Sequence, residues 1–398
     1  MDNFEFYRRT RIKFGRNSEN EVGQLIKYSS GRRVLIITGQ HSAQKTGLIE
    51  KIKRSLDRAG LEFKELSGVQ SNPLIDKVRQ GIKLCRDHSV DFVLAVGGGS
   101  VIDTGKAIAA GVFYEGDVWE IFIKRRNLYR ALPIGVVLTN PGSGSECSTN
   151  AVLSEIEDGV RHKVDVSYDC FAPAFAILNP ELTFSLDLRL TALGCADMFT
   201  QVLEYYFTNT SGVDLSDRLA EGMMQSIIKQ SMELARDLNS YDARANLMWA
   251  STMAHHDFLG SGRQRDGASH KLEYQLSALY DTPHGAGLAV IVPAWMTYVT
   301  HHNVMRMAQF GHRVMGVPMN FHQPLETAKA GIAQLRLYFK RIGLPQNFAA
   351  LGVRSADIER LLNNLSYDEE GTIGSYVKLN RSACEAIYYL AATYSEQN

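Results

Sequence analysis

The sequence predicts an α/β half built on a parallel sheet, followed by a half made of helices alone. Two observations carry this. Between Val34 and Leu178, short β-branched runs alternate with amphipathic helical patterns. From about Thr183 long helical patterns follow one another and strand signals almost vanish. Strand, helix, strand in that order implies a parallel sheet covered on both faces.

The elements follow in order. Val34–Thr38 is a continuous apolar strand, and residues 43–58 place Leu48, Ile49, Ile52 and Leu56 on one helical side. A strand near Leu61–Leu66 and a helix from Leu74 to His88 come next. Phe92–Val96 is a second apolar strand, running into Gly97-Gly-Gly-Ser100 and a helix from Val101 to Val112. Strands at Pro133–Leu138 and Ala174–Leu178 flank a hairpin around Ala151–Val166. In the second half the helical patterns cover 190–208, 214–236, 241–260, 267–280, 285–300 and 323–341. The change of texture after Asn179-Pro180 places the boundary between residues 1–182 and 183–398, with the cleft between the two as the expected ligand site.

Composition narrows the function. The 398 residues suit two or three domains, and 45% apolar content is enough for a large core. Lys and Arg total 43, as do Asp and Glu, so a nucleic-acid partner, which needs a basic surplus, is not expected. No stretch reaches the roughly 20 apolar residues of a membrane helix, and MDNFEFYRR carries no apolar signal core. Five scattered cysteines without a CxxC pair fit a reduced cytoplasmic protein.

The sharpest motif is Ala95-Val-Gly-Gly-Gly-Ser-Val-Ile-Asp-Thr-Gly-Lys106. Glycines let the backbone approach an anion, and the helix behind them aims free N–H groups at it. Ser100 can cap that helix and bond a phosphate oxygen. A strand–helix turn that merely needs glycine is the plain alternative; three glycines after a buried strand favour a phosphate site. Two further loops also follow strands: Thr38-Gly-Gln-His-Ser42, which one dinucleotide can touch together with the glycine turn, and Thr139-Asn-Pro-Gly-Ser-Gly-Ser-Glu146, whose small hydroxyl residues suit a ribose or nicotinamide. The latter, taken alone, reads as an ordinary surface loop.

In the helical half, Asp197, Gln201 and Glu204 share one helix face. His270 and His284 each open a further helical stretch. A carboxylate and two imidazoles can hold a divalent ion with a position left for substrate. With 11 histidines in the chain, chance pairing is easy, and spacing alone carries little weight.

Taken together these residues resemble the iron-containing alcohol dehydrogenases, and most of all the branch of NAD(P)H-dependent butanol dehydrogenases and broad-specificity aldehyde reductases. The resemblance runs from Phe4-Glu-Phe6 and Ile12-Lys-Phe-Gly15 through Gly68-Val-Gln-Ser-Asn-Pro73, Gly97-Gly-Gly-Ser-Val-Ile-Asp103 and Gly144-Ser-Glu146. It continues through Tyr241-Asp-Ala-Arg-Ala-Asn246 and His284-Gly-Ala-Gly287 to Pro293-Ala-Trp295.

The resemblance implies a dehydroquinate synthase-like fold, an α/β dinucleotide-binding domain plus an all-helical one. It implies metal-dependent hydride transfer between a nicotinamide and a primary alcohol or aldehyde, and a homodimer paired through the N-terminal domains, for which the β-like opening run Phe4–Phe14 is the expected edge. Gly39, Ser42, Gly97, Gly98, Gly99, Ser100 and Asp103 would contact NADP or NAD; Thr139 and Ser145 would approach its nicotinamide half, with Lys163 nearby. Gly39-Gln-His-Ser42 has no acidic residue, and Ser42 with Lys45 suits a 2′-phosphate, which inclines the expectation to NADP. Asp197, His270 and His284 match three of the family's four ligands for iron(II) or zinc. Gln201 stands where the family has its first His ligand, and Tyr274 where many members have another His. An amide oxygen is a weaker ligand than imidazole. The proton for the product alcohol is then expected from Tyr274, His256 or water. His256 and Asp257 are expected on an exposed helix face, although they can also supply a substitute ligand. Two rivals share the fold: a lyase or cyclase akin to dehydroquinate synthase, and a regulatory protein that has lost its chemistry. The first expects a basic cluster for a phosphorylated sugar acid, which the C-terminal half lacks; Gln201 and Tyr274 favour the second.

Overall fold

The computed structural model describes residues 1–40, 46–124, 127–157 and 160–395. The chain forms two compact units, one of residues 7–186 and 251–256, the other of 1–6, 187–250 and 257–398.

The first unit carries β1 (Arg11–Phe14), α1 (Val22–Tyr28), β2 (Arg33–Gly39), α2 (Leu48–Arg58), β3 (Glu62–Val69), α3 (Ile75–Asp87), β4 (Phe92–Gly98) and α4 (Gly99–Gly111). It continues with α5 (Trp119–Ile123), β5 (Ile134–Asn140), the hairpin β6 (Asn150–Glu157) and β7 (Val160–Ser167), and β8 (Phe175–Leu178). Six strands form one parallel sheet in the order β1-β8-β5-β4-β2-β3. β2 and β4 are buried along almost their whole length, as strands covered on both faces must be. α1 and α2 pack over Val34, Ile36, Phe92, Leu94 and Val96. On the opposite face α4 comes so close that a Cβ on Gly105 would touch Val93, Ala95 and Ile37 at 3.4–3.6 Å. The connection after β2 therefore departs to one face and the one after β4 to the other. A crevice opens at the carboxyl ends of strands where this happens.

The second unit is helical: α6 (Leu188–Tyr206), α7 (Asp214–Leu234), α8 (Tyr241–Ala254), α9 (Ala268–Tyr280), α10 (His284–Val299), α11 (Val304–Arg313), α12 (Pro324–Arg341), α13 (Ile358–Asn363) and α14 (Arg381–Thr393). α10 buries every residue from Gly285 to Met296, which makes it the central helix of its core. No helix among the described residues is long and apolar enough to cross a membrane, and all five cysteines are unpaired.

Four expectations need correction. The division is not a single cut at 182/183: the chain crosses near residue 186, and two segments are exchanged. Met1 bonds the Ser211 carbonyl at 2.5 Å and Asp2 that of Gly262 at 2.9 Å, which ties residues 1–6 to the helices. Conversely, Ser251 Oγ accepts from Gly142 N at 2.7 Å and Thr252 donates to Glu146 at 2.7 Å. The helix expected over 241–260 stops at Ala254, and Asp257 adopts a left-handed φ of 55° that ends any continuation. His256 therefore lies beyond the helix and is half-buried rather than on an exposed helical face. Finally, the β-like opening run pairs only over Arg11–Phe14, as an edge strand beside β8.

Candidate functional site

In the α/β unit, Gly39, Gly97–Gly98 and Thr139 stand at the ends of β2, β4 and β5, three adjacent strands. α4 starts directly at Gly99, its N-cap is Gly98, and no side chain caps it. Its first N–H groups are thus bare, the arrangement that suits an anion. Ser100 lies inside the first turn rather than at the cap, and its carbonyl accepts from Thr104 Oγ1 at 2.8 Å. The glycines answer to space: a Cβ on Gly99 would stand 2.2 Å from Ser143 Oγ, and one on Gly97 2.5 Å from a Val101 methyl.

Behind this turn lies a buried polar network. Asp103 accepts from Ser145 Oγ at 2.5 Å and from Val152 N at 3.0 Å. Lys106, fully buried, donates to Ser145 Oγ at 2.8 Å and to the carbonyls of Ser148 and Asn150 at 3.0 and 2.6 Å. Burial lowers the lysine pKa to about 8. Asp103, Ser145 and Lys106 thus tie the 141–149 loop and β6 to α4, and Lys106, overlooked in the sequence, is the anchor. Lys163 sits on β7 opposite Ser154, its charge acting on Asp103. Ser42 and Lys45 lie outside the described residues.

In the helical unit, Asp197, His270 and His284 offer ligand atoms that all lie within 4.8 Å of one another. Packing explains why. A Cβ on Gly285 would stand 2.1 Å from the Leu193 carbonyl, so the start of α10 docks on α6 one turn before Asp197. A Cβ on Gly287 would stand 2.6 Å from Glu273, so α9 and α10 also touch closely. Nε2 of His270 and of His284 lie 3.7 and 3.9 Å from Asp197 Oδ1. The opposite ring nitrogens are backed by buried carboxylates: His270 Nδ1 lies 2.9 Å from Glu204 Oε1, and His284 Nδ1 contacts Glu273 Oε2. Glu273 is further fixed by Ser277 Oγ at 2.5 Å. At His284 such backing sets the tautomer and leaves Nε2 free to ligate, while Glu204 Oε1 accepts from the His270 backbone N at 3.2 Å and places its charge beside the ring. The donor set, one carboxylate and two imidazoles, fits a divalent transition metal or zinc.

The fourth position differs. Gln201 is buried, and its Oε1 accepts from Arg265 Nη2 at 2.8 Å. Arg265 also binds Glu204 Oε2 through Nε and Nη2 at 3.0 and 2.8 Å. Burial alone would raise the Glu204 pKa, but His270 and Arg265 outweigh it and hold the carboxylate ionised. Tyr274 stands beside the cluster, its ring 5.6 Å from His284 and 6.3 Å from His270. His256 belongs to the other unit, where Arg8 donates to its carbonyl at 2.7 Å; burial first and Arg8 second lower its pKa. Glu204 was visible on the face of Asp197. Glu273, three residues after His270, and Arg265 escaped notice because their partners are remote in sequence.

Removing the charge behind His284 tests this arrangement. Glu273→Gln is expected to weaken zinc binding about 10–100-fold, measured by competition with a chromogenic chelator; an unchanged affinity contradicts it.

Residues 9–180 match the family described as iron-containing alcohol dehydrogenase, and residues 191–392 match its C-terminal family. NADH-dependent butanol dehydrogenase A of Clostridium acetobutylicum is 36% identical, over 96% of this chain and 97% of its own. The NADPH-dependent aldehyde reductase YqhD of Escherichia coli is 31% identical, over 98% of this chain and all of its own. Among solved structures, an NADH-dependent butanol dehydrogenase A from Thermotoga maritima superposes with a TM-score of 0.94 at 35% identity, over 99% of each chain.

Proposed function

The chain belongs to the iron-containing alcohol dehydrogenase family, and from that premise we propose that it interconverts primary alcohols and aldehydes by hydride transfer with NAD(P)(H). The observation that carries this is the convergence of Asp197, His270 and His284 in a chain of this family. A divalent ion held there supplies Lewis acidity toward a carbonyl oxygen, and the nicotinamide supplies the hydride.

The chain's own residues do the rest. The bare N–H groups at Gly99–Ser100 bind the pyrophosphate, and Gly97 and Gly98 let it approach. Glu204 and Glu273 hold the two imidazoles in their ligating orientation. Gln201 is a positioning residue, its oxygen turned to Arg265. The hydroxyl of Tyr274 gives the proton to the product alcohol. Tyr274→Phe is expected to lower kcat about 10²-fold with zinc content unchanged; kcat within twofold of wild type removes the assignment. The first loop, free of acidic side chains from Gly39 to Ser42, favours NADPH. A homodimer in reducing surroundings suits β1, an edge strand of the sheet among the described residues.

The test is NAD(P)H-dependent reduction of butanal by zinc- or iron-loaded protein. Turnover supports the proposal; no turnover of any primary aldehyde, plain or carboxylate-ended, with either dinucleotide defeats it and favours the regulatory alternative. A second measurement addresses the weakened site. Gln201→His supplies a third imidazole and is expected to tighten metal binding at least about tenfold. Equal affinity in the two proteins shows that residue 201 does not face the ion.

A further inference from the structure

Arg265 is more than a substitute neighbour for Gln201. Two of its three nitrogens are committed inward: Nε and Nη2 bind Glu204, and Nη2 also binds Gln201. Nη1 carries no hydrogen bond among the described residues, and the side chain is 30% exposed. An arginine whose task ended at Glu204 and Gln201 would have no need of an accessible edge. Two charge-assisted donors remain open on it, aligned by a plane that the other bonds hold fixed.

The position of that edge matters. Glu204 reaches His270 with one oxygen and Arg265 with the other, so the guanidinium lies one carboxylate away from a ligating imidazole. Tyr274, beside both histidines, lies within electrostatic reach of Arg265. The charge balance points the same way. Asp197, Glu204 and Glu273 outweigh a divalent ion by one negative charge, and a loaded site without Arg265 would repel an anion. Arg265 cancels that excess and leaves donors facing outward.

We infer that Arg265 is a specificity-determining residue, which binds an anionic group, such as a carboxylate, carried a few carbons from the reacting carbonyl. The substrate class is thus an aldehyde or alcohol with a terminal anion rather than a plain hydrocarbon chain. This rests on the oxidoreductase proposal above for the reacting end and on Arg265 alone for the anionic end.

The experiment measures binding apart from turnover. Zinc-loaded protein with NAD(P)H bound is titrated calorimetrically with straight-chain primary alcohols of four to six carbons, which cannot react with the reduced dinucleotide. Each is paired with the same chain ending in carboxylate. The carboxylate-ended ligand is expected to bind about 10–100-fold more tightly, the worth of hydrogen bonds to a charged group. The advantage is expected to shrink with added salt, to vanish in Arg265→Gln and to persist in reduced form in Arg265→Lys. Equal affinities in wild type, or the same advantage in a folded Arg265→Gln protein, overturn the inference; the wild-type comparison stands even if that variant does not fold. The matched aldehydes are assayed in parallel. Turnover with equal affinities removes the anion site and keeps the oxidoreductase. Tighter carboxylate binding with no turnover does the reverse.

Discussion

Asp197→Ala abolishes metal retention and lowers kcat/KM for aldehyde reduction at least about 10³-fold, the several kcal/mol that Lewis-acid stabilisation of charge on the substrate oxygen supplies. Asp197 is the one candidate ligand with a formal charge, and its Oδ1 faces Nε2 of both histidines. Its loss leaves two imidazoles beside a guanidinium, a poor cage for a dication. Dinucleotide affinity is expected to stay within about twofold, because the glycine turn belongs to the other unit. Elemental analysis of purified protein together with steady-state kinetics checks both halves; full activity with no bound metal contradicts the expectation.

Asp217→Asn is expected to destabilise the helical unit by about 3–5 kcal/mol, without any contact to the candidate site. Asp217 on α7 answers two guanidiniums at once. Arg263 Nη1 lies 2.9 Å from Oδ1, Arg306 Nη2 lies 2.7 Å from the same oxygen, and Arg306 Nη1 contacts Oδ2. The Arg263 side chain is fully buried, and Arg306 is 12% exposed. Both also donate to the last carbonyls of α6, those of Tyr205 and Tyr206, at 3.0 and 3.1 Å. The amide keeps the shape and removes the charge, which strands two cations in low dielectric. Denaturant unfolding with a helix-sensitive signal measures the loss. A change below about 1 kcal/mol means that solvent already screens the pair.

The sheet was legible because its central strands are buried on both faces and so read as unbroken apolar runs, Val34–Thr38 and Phe92–Val96. The glycine turn was legible for a local reason: close approach of Ser143 and Val101 forbids a side chain, and that demand is written in consecutive residues. Asp197, His270 and His284 came from spacing and resemblance together, and the close packing of Gly285 and Gly287 that assembles them is not a periodic signal.

What stayed hidden depends on pairings across long stretches of chain. Arg265 meets Gln201, and Glu273 meets His284, only after the helices have docked. Ser251 and Thr252 sit in a helical pattern yet serve the α/β unit, because hydroxyls on one turn of α8 satisfy Gly142 N and Glu146. The bonds that Asp103 makes to Ser145 and to Val152 N were hidden too, because a buried aspartate takes its partners from a loop and a strand remote in sequence. His256 looked helical because nothing in its neighbours announces the left-handed Asp257, held by Tyr205 at 2.5 Å.

X-ray absorption on zinc-loaded wild-type protein tests the central claim most directly. One ion per chain is expected, with two imidazoles and oxygen donors in its shell, and His284→Ala is expected to remove one imidazole from that shell. A stoichiometric ion whose spectrum shows no imidazole, or one unaltered by His284→Ala, contradicts the site.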